Sequence, residues 1–312
     1  MTKRLAVGLI GCGRWGRHIL RDLRSLGCDV AVVAMSSSSR KNAAEGGASV
    51  VVDRMDSLPP VAGIVVATPT ATHAAIIEAA LDKGVPIFTE KPMTADHESA
   101  ARLAQMAPDR LFVMDKWRYH PGIEMLARIA RSGELGPVVG LRTTRAQWGS
   151  PHHDVDCIWI LAPHDLAIAL EVFGSIPPVR SAIAERVSGY PTGLFGILGD
   201  DPWMLLEVSS RYPVSRREIR LHCRDGVAVL DDSYSETVQV TRTSAPSDTN
   251  PQVELRPLST ELPLLRELRA FVEHLQGGPP PRSSAAEGAL IVSTIVKLRA
   301  LAGIDANRDA NR

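Results

Sequence analysis

Near its N-terminus the chain reads Leu5-Ala6-Val7-Gly8-Leu9-Ile10-Gly11-Cys12-Gly13-Arg14-Trp15-Gly16, then Arg17-His18-Ile19-Leu20. An apolar strand gives way to a glycine-rich turn and then to the start of a helix. Gly11, Gly13 and Gly16 fill the pattern G-x-G-x-x-G in the strand–turn–helix setting that gives the spacing its meaning. Each glycine has its own reason to be there. Gly11 permits the tight turn, Gly13 lets backbone approach a pyrophosphate, and Gly16 lets helix and strand pack closely. The helix N-terminus then presents unpaired N–H groups to the phosphates. Gly11, Cys12, Gly13, Arg14 and Trp15 are therefore expected to line a dinucleotide.

Strands and helices alternate through the first third of the chain. Strands are expected at Leu5–Ile10, Val30–Ala34, Ser49–Val52, Gly63–Ala67, Pro86–Thr89 and Leu111–Asp115. Helices are expected near Trp15–Ser25, Arg40–Gly46, Ala71–Lys83 and Ala95–Ala107. Fully apolar strands alternating with helices imply a parallel sheet covered on both faces. Such sheets bind ligands beyond the C-terminal ends of their strands. Thr68-Pro69-Thr70 and Glu90-Lys91-Pro92 fall at those ends.

From about Pro121 the pattern changes. A helix near Gly122–Ser132 leads into alternating segments at Val138–Gln147, Trp203–Tyr212, Arg217–Arg224, Val227–Asp231 and Thr237–Thr241, interrupted by a helix at Cys157–Phe173. These predict a mostly antiparallel, open sheet with one exposed face. Thr243–Pro251 is expected to be a loop, Pro263–Gln276 and Ser284–Leu301 helices, and Gly277–Pro281 a rigid break. The fold class is α/β: a dinucleotide-binding domain at 1–120, a second α/β domain at 121–304 and a polar tail at 305–312.

The 312 residues carry zero formal net charge, so no electrostatic surface for nucleic acid or an anionic membrane is expected. No run of about 18 apolar residues and no signal segment is evident. The four cysteines are scattered and form no C-x-x-C pair, which predicts free thiols in a reducing cytoplasm.

Lys91 follows a strand end where a nicotinamide would lie. There it can exchange a proton with an alcohol or nascent alkoxide and polarise a carbonyl, or else be an ordinary surface lysine. His164, within Trp159–Leu166, can share a substrate hydroxyl with Lys91, or be a satisfied core histidine. In Arg145–Asp156 the residues His152, His153, Asp154 and Asp156 lack an H-x-x-x-H pair, so no metal site is expected. Trp148 and Trp159 offer aromatic faces to a sugar or to the core. Arg118 is suited to holding a carboxylate or phosphate bidentately, or to pinning an interface.

Taken together these segments resemble the Gfo/Idh/MocA oxidoreductase family, which includes glucose–fructose oxidoreductase and inositol dehydrogenase. The likeness rests on Gly8–Gly16, on Thr68-Pro69-Thr70-Ala71-Thr72-His73, and above all on Phe88-Thr89-Glu90-Lys91-Pro92-Met93. Lys116-Trp117-Arg118-Tyr119-His120-Pro121, the segment Ser209–Asp232 and Ser283-Ser284-Ala285-Ala286-Glu287-Gly288 extend it over nearly the whole chain. The resemblance implies a Rossmann domain, a second α/β domain whose exposed sheet face makes oligomers, and hydride transfer between nicotinamide and a secondary alcohol of a sugar, sugar nucleotide or cyclitol. It implies Lys91 and His164 as catalytic groups. Thr68, Pro69, Thr70, His73, Glu90 and Lys91 are expected in the cofactor site, and Arg118, Tyr119, Trp148 and Asp156, read from their own chemistry and position, in the substrate site beside Lys91 and His164. One departure is notable. Members often carry an aspartate four residues before the helix histidine; here that residue is Ile160, with Asp156 and Asp165 as the nearest acids.

NAD-specific units often place an acid about 20 residues past the glycines, on the ribose 2′-hydroxyl. The corresponding stretch, Val33–Lys41, contains none. Ser36, Ser37 and Arg40 suit a 2′-phosphate, so NADP(H) is favoured, with NAD(H) possible. The expected partners are a carbohydrate-like small molecule and further copies of the chain, as a dimer or tetramer, because an uncovered apolar sheet face would be a large patch. A non-catalytic dinucleotide-binding regulator is the alternative that Ile160 motivates.

Overall fold

A computed structural model describes residues 4–150, 154–243 and 251–304. Thus His152, His153 and the polar tail lie outside the described residues. The chain divides into two compact units, Met1–Lys116 with Leu262–Ser293, and Trp117–Glu261 with Thr294–Arg312.

The first unit carries β1 (Ala6–Ile10), α1 (Gly16–Ser25), β2 (Asp29–Val33), α2 (Ser37–Glu45), β3 (Val50–Val52), β4 (Gly63–Val66), α3 (His73–Leu81), β5 (Ile87–Glu90), α4 (His97–Met106) and β6 (Leu111–Met114). The second carries α5 (Pro121–Ser132), β7 (Val138–Trp148), α6 (Cys157–Phe173), β8 (Val179–Val187), β9 (Tyr190–Leu198), β10 (Trp203–Ser209), β11 (Arg211–Cys223), β12 (Gly226–Leu230), β13 (Thr237–Arg242) and β14 (Gln252–Pro257). Then α7 (Pro263–Leu275) belongs to the first unit, and the dividing line falls within α8 (Ala285–Leu301).

The first sheet is six-stranded and parallel, in the order β3-β2-β1-β4-β5-β6. The chain reverses its direction of travel between β1 and β4, so the crevice outside their C-terminal ends is the topological switch point of the sheet. The strands read as near-continuous apolar runs because both faces are covered. Val7, Leu9, Val30, Val32 and Phe88 are buried in one cluster with Leu264, Leu268, Phe271 and Val272 of α7. Phe271 stacks on Phe88 with ring centroids 5.0 Å apart. A boundary at 120/121, as expected from sequence, places 262–293 in the second domain. Tertiary packing instead returns this segment to the first sheet, because the apolar stripe of α7 has its complement there.

The second sheet is eight-stranded, in the order β14-β13-β12-β11-β7-β10-β9-β8. Among its described pairs only β7/β10 is parallel. Helices α5 and α6 pack on one face. β8 and β9, absent from the sequence expectation, pair as a hairpin around Ser188 and Gly189, both at positive φ. β14 is also absent from that expectation; nearly all its residues are exposed, so no apolar alternation announces it. The segments Trp203–Tyr212 and Arg217–Arg224 regroup, because β11 already begins at Arg211.

The face opposite α5 and α6 is part apolar and part charged. Ile183, Phe195 and Ile197 are exposed on β8 and β9. The middle strands instead carry charges: Arg142 approaches Glu207 at 3.8 Å, and Arg216 and Arg220 both bind Glu218.

Phe271→Ala should remove the α7 anchor and leave a cavity against Phe88, costing about 3–5 kcal/mol. Denaturant unfolding of the whole chain measures this; a change below about 1 kcal/mol would show α7 to be peripheral to the first core.

Candidate active site

The glycine turn is built by close backbone approach. Gly11 lies at φ +91°, where a Cβ would sit 2.5 Å from the Ala67 carbonyl oxygen at the end of β4. A Cβ on Gly16 would sit 2.3 Å from the Gly11 carbonyl oxygen. A Cβ on Gly13 would meet nothing within 4 Å. Gly11 and Gly16 are therefore required by the fold, whereas Gly13 faces open space, as backbone must if a pyrophosphate is to approach it. α1 begins with no side-chain cap hydrogen bond, which leaves its first N–H groups suited to an anion. Gly13, Arg14 and Trp15 are exposed, and Cys12 is buried with its thiol pushed up by desolvation.

Two residues that sequence reasoning missed fix this turn. Ser39 Oγ accepts from the Cys12 N–H at 2.9 Å, and Asn42 Nδ2 donates to the Cys12 carbonyl at 2.9 Å. They stand three apart on α2, hence on one helical face, and this spacing in the polar run was their only signal. Ser36 caps α2 by accepting from Ser39 N–H at 3.1 Å. Ser36, Ser37 and Arg40 are exposed, and Arg40 reaches the Ala34 carbonyl at 3.5 Å.

The loops after β4 and β5 are tied together. His73 is 1% exposed; its Nδ1 lies 2.8 Å from the Pro92 carbonyl and its Nε2 2.9 Å from the Thr68 carbonyl. This places His73 as a strut between Thr68-Pro69-Thr70 and Lys91-Pro92, buried behind the surface a cofactor would touch. Thr70 is likewise buried, while Thr68 is half-buried and Pro69 exposed. Lys91 is half-buried, and its N–H donates to Glu90 Oε2 at 3.2 Å. Trp15 of the glycine turn hydrogen-bonds the same carboxyl group, and Lys116 Nζ lies 4.4 Å from the Trp15 ring centroid. The surface of Glu90 is partly exposed but its carboxyl is desolvated, which raises its pKa; Lys91, Lys116 and the two hydrogen bonds pull the other way. Glycine turn and Lys91 thus meet at one carboxyl group.

In the second unit, α6 is apolar all round and buried along nearly its whole length. His164 is half-buried on it, 6.4 Å from the Trp117 ring. Arg145 stacks over Trp117 at 4.2 Å and grips Asp165 through Nε and Nη2 at 3.0–3.2 Å, with both partners almost fully buried. Desolvation raises the Asp165 carboxyl and Arg145 opposes that shift.

Several substrate candidates also have structural partners. Asp156 caps α6 by accepting from Ile158 and Trp159 N–H, and pairs with Arg299 out of contact with water. Arg118 is 8% exposed and its Nε donates to Glu171 at 3.2 Å. Tyr119, Trp159 and Ile160 are buried; Ile160 contributes packing where the resemblance leads one to expect an acid. Trp148 is 64% exposed, under the Arg211 guanidinium at 4.5 Å. Among the described residues no cluster of three metal-ligating side chains occurs, and no helix is long and apolar enough to cross a membrane. All four cysteines are free and buried.

Residues 5–113 match the model of the Gfo/Idh/MocA family, an oxidoreductase family with an NAD-binding Rossmann fold. Over that stretch, about a third of the chain, it is similar to the Gfo/Idh/MocA family. It is 36% identical over 152 residues to an inositol 2-dehydrogenase of Arthrobacter sp., covering 45% of each chain. It is 30% identical over 181 residues to a UDP-N-acetylglucosamine 3-dehydrogenase of Acidithiobacillus ferrooxidans, covering 55% of this chain and 56% of that one. The matches thus span about half the length of these Gfo/Idh/MocA relatives. The fold also matches the solved structure of UDP-N-acetylglucosamine 3-dehydrogenase from Acidithiobacillus ferrooxidans, with a TM-score of 0.83 and 24% identity over 97% of this chain and 99% of that one. Levoglucosan dehydrogenase in complex with NADH and levoglucosan matches with a TM-score of 0.81 and 17% identity over 96% and 98%.

Gly13→Ala and Gly16→Ala should separate binding from folding. Gly13→Ala is expected to leave the melting temperature unchanged while weakening nucleotide binding at least about tenfold. Gly16→Ala is expected to destabilise the chain by about 1–3 kcal/mol. Thermal unfolding with and without nucleotide tests both; equal melting losses would contradict the division of roles.

Proposed function

We propose that the chain is an NAD(P)-dependent oxidoreductase that transfers a hydride between nicotinamide and a secondary alcohol or ketone of a sugar, sugar nucleotide or cyclitol. The observation that carries this is the shared carboxyl group of Glu90, which joins Trp15 of the glycine turn to Lys91. The turn fits a dinucleotide because Gly13 is open, α1 is uncapped and the switch-point crevice lies beside it. When bound, the nicotinamide supplies or accepts the hydride; the protein handles the proton. Lys91 donates it to the carbonyl oxygen being reduced, or removes it from the hydroxyl being oxidised. Its ammonium also stabilises developing negative charge on that oxygen. His164 is the acid–base candidate of the second unit. Relatives named for inositol and for a UDP-sugar support a polyol-like substrate class.

For the coenzyme, the exposed Ser36, Ser37 and Arg40 and the absence of an acid between Val33 and Lys41 support NADP(H), with NAD(H) as the second choice. Levoglucosan dehydrogenase, whose fold is similar, is solved in complex with NADH, so both coenzymes belong in the test. Self-association through the β8–β9 edge, where Ile183, Phe195 and Ile197 are exposed, is inferred from the same hydrophobic logic.

Titration by nicotinamide fluorescence should show tighter binding of NADPH than of NADH, and Arg40→Glu should reduce NADPH affinity at least about tenfold while sparing NADH. Preference for NADH in the wild type would reverse the coenzyme assignment. In a turnover screen of polyols and sugar nucleotides, Lys91→Ala should lower kcat by about 10²–10⁴. Unchanged turnover would remove Lys91 from the mechanism, and binding without hydride transfer to any substrate would favour a dinucleotide-sensing regulator, as Ile160 suggests.

A further inference from the structure

Two arginines face each other across adjacent strands of the second sheet. Arg217 of β11 is the register partner of Arg145 of β7. Partners in an antiparallel pair point to the same face, and like charges set opposite one another there are destabilising. Arg145 reaches Asp165, so the shared face is the one covered by α6. The fold answers only one of the two charges. Asp165 is gripped by Arg145 through two nitrogens, whereas Arg217, half-buried beside it, donates to neutral acceptors alone. Its Nη1 donates to the main-chain carbonyls of Ala146 at 2.6 Å and Arg216 at 2.8 Å, and its Nη2 to Gln147 Oε1 at 2.5 Å. A guanidinium carries five N–H donors. Among the described residues the Nε–H and a second Nη2–H have no acceptor, and no carboxylate forms an ion pair with the group. Desolvation, and then Arg145, pull its pKa down to about 10, against the more distant attraction of Asp165, Asp232 and Tyr234. It stays charged at neutral pH. The same corner of the second unit holds His164: Asp165 follows it on α6, and Trp117, under the Arg145 guanidinium, lies 6.4 Å from its ring.

We propose that Arg217 is a specificity-determining residue that grips a carboxylate or phosphate carried by the polyol substrate, so that the chain takes anionic sugars or cyclitols in preference to neutral ones. This rests on His164 marking the substrate site. Donors on the adjacent Nε and Nη2 nitrogens suit two oxygens of one anion. The incoming charge would also offset the repulsion between Arg217 and Arg145. Clamping β7 to β11 is not a sufficient reason for this residue. The three acceptors that it meets are neutral, and a neutral side chain with N–H donors could serve them without setting a cation opposite Arg145.

Calorimetric titration of the full chain with four probes tests this without turnover. Glucose is neutral, glucuronate carries a carboxylate, glucose 1-phosphate a phosphate and UDP-glucose a diphosphate. At least one anionic probe should bind at least about tenfold more tightly than glucose, and Arg217→Gln should abolish that margin. The probe that shows the margin identifies the anion. If none of the three binds more tightly than glucose, the proposal fails. It fails equally if the margin survives in Arg217→Gln, because a residue that only clamps the two strands would weaken neutral and anionic probes alike. Should Arg217→Gln not fold, Arg217→Lys decides. It keeps the charge and a donor for the carbonyls but loses the planar fork, so the margin should shrink at least about threefold; an unchanged margin would overturn the bidentate grip. Binding needs no hydride transfer, so failure of the oxidoreductase reading appears separately, as turnover indifferent to Lys91→Ala.

Discussion

Three backbone segments meet at the switch point of the first sheet with no room for a side chain between them. The Gly11 turn is pressed against the carbonyl of Ala67 at the end of β4, and the start of α1 is pressed against the carbonyl of Gly11. Only hydrogen at the α-carbons of Gly11 and Gly16 allows this. The contact sets where β1 stops, where α1 starts and how far the Thr68 loop stands from the glycine turn. Ser39 and Asn42 then clamp the intervening Cys12 backbone from α2, and His73 ties the Thr68 loop to Lys91-Pro92. A nucleotide crevice and a lysine at its edge are consequences of that one close approach.

The second unit is organised by charge buried inside an apolar frame. α6 is hydrophobic on every side, yet Asp156 at its start binds Arg299, Asp165 in its middle binds Arg145, and Glu171 near its end binds Arg118. Removing one partner of such a pair strands the other out of water and costs about 3–5 kcal/mol. This is why Asp156 and Arg118, which look in sequence like substrate ligands, have neighbours of their own. The Arg145–Asp165 pair also backs Trp117, whose ring lies beside His164, so the polar core helps to fix the surroundings of that histidine.

Much of the fold was legible along the chain. Continuous apolar runs revealed the six parallel strands because all but the edge strand β3 are largely buried on both faces. The glycine spacing located the nucleotide crevice because backbone geometry there tolerates little else. β8, β9 and β14 were less legible because their exposed residues break the apolar alternation. The true extent of β11 was hidden by an irregular register between Arg211 and Arg216.

The Rossmann sheet, the position of Lys91 at a strand end and the resemblance to the Gfo/Idh/MocA family were all readable from the residues in order, because they depend on local periodicity and on backbone-limited glycine positions. The internal partners of several polar residues were decided by packing in three dimensions. That packing returned α7 to the first sheet. It also committed Asp156 and Arg118 to internal ion pairs and turned His73 into a strut. Burial and pairing arise between segments far apart in the chain, and the cost of an unpaired charge out of water governs them.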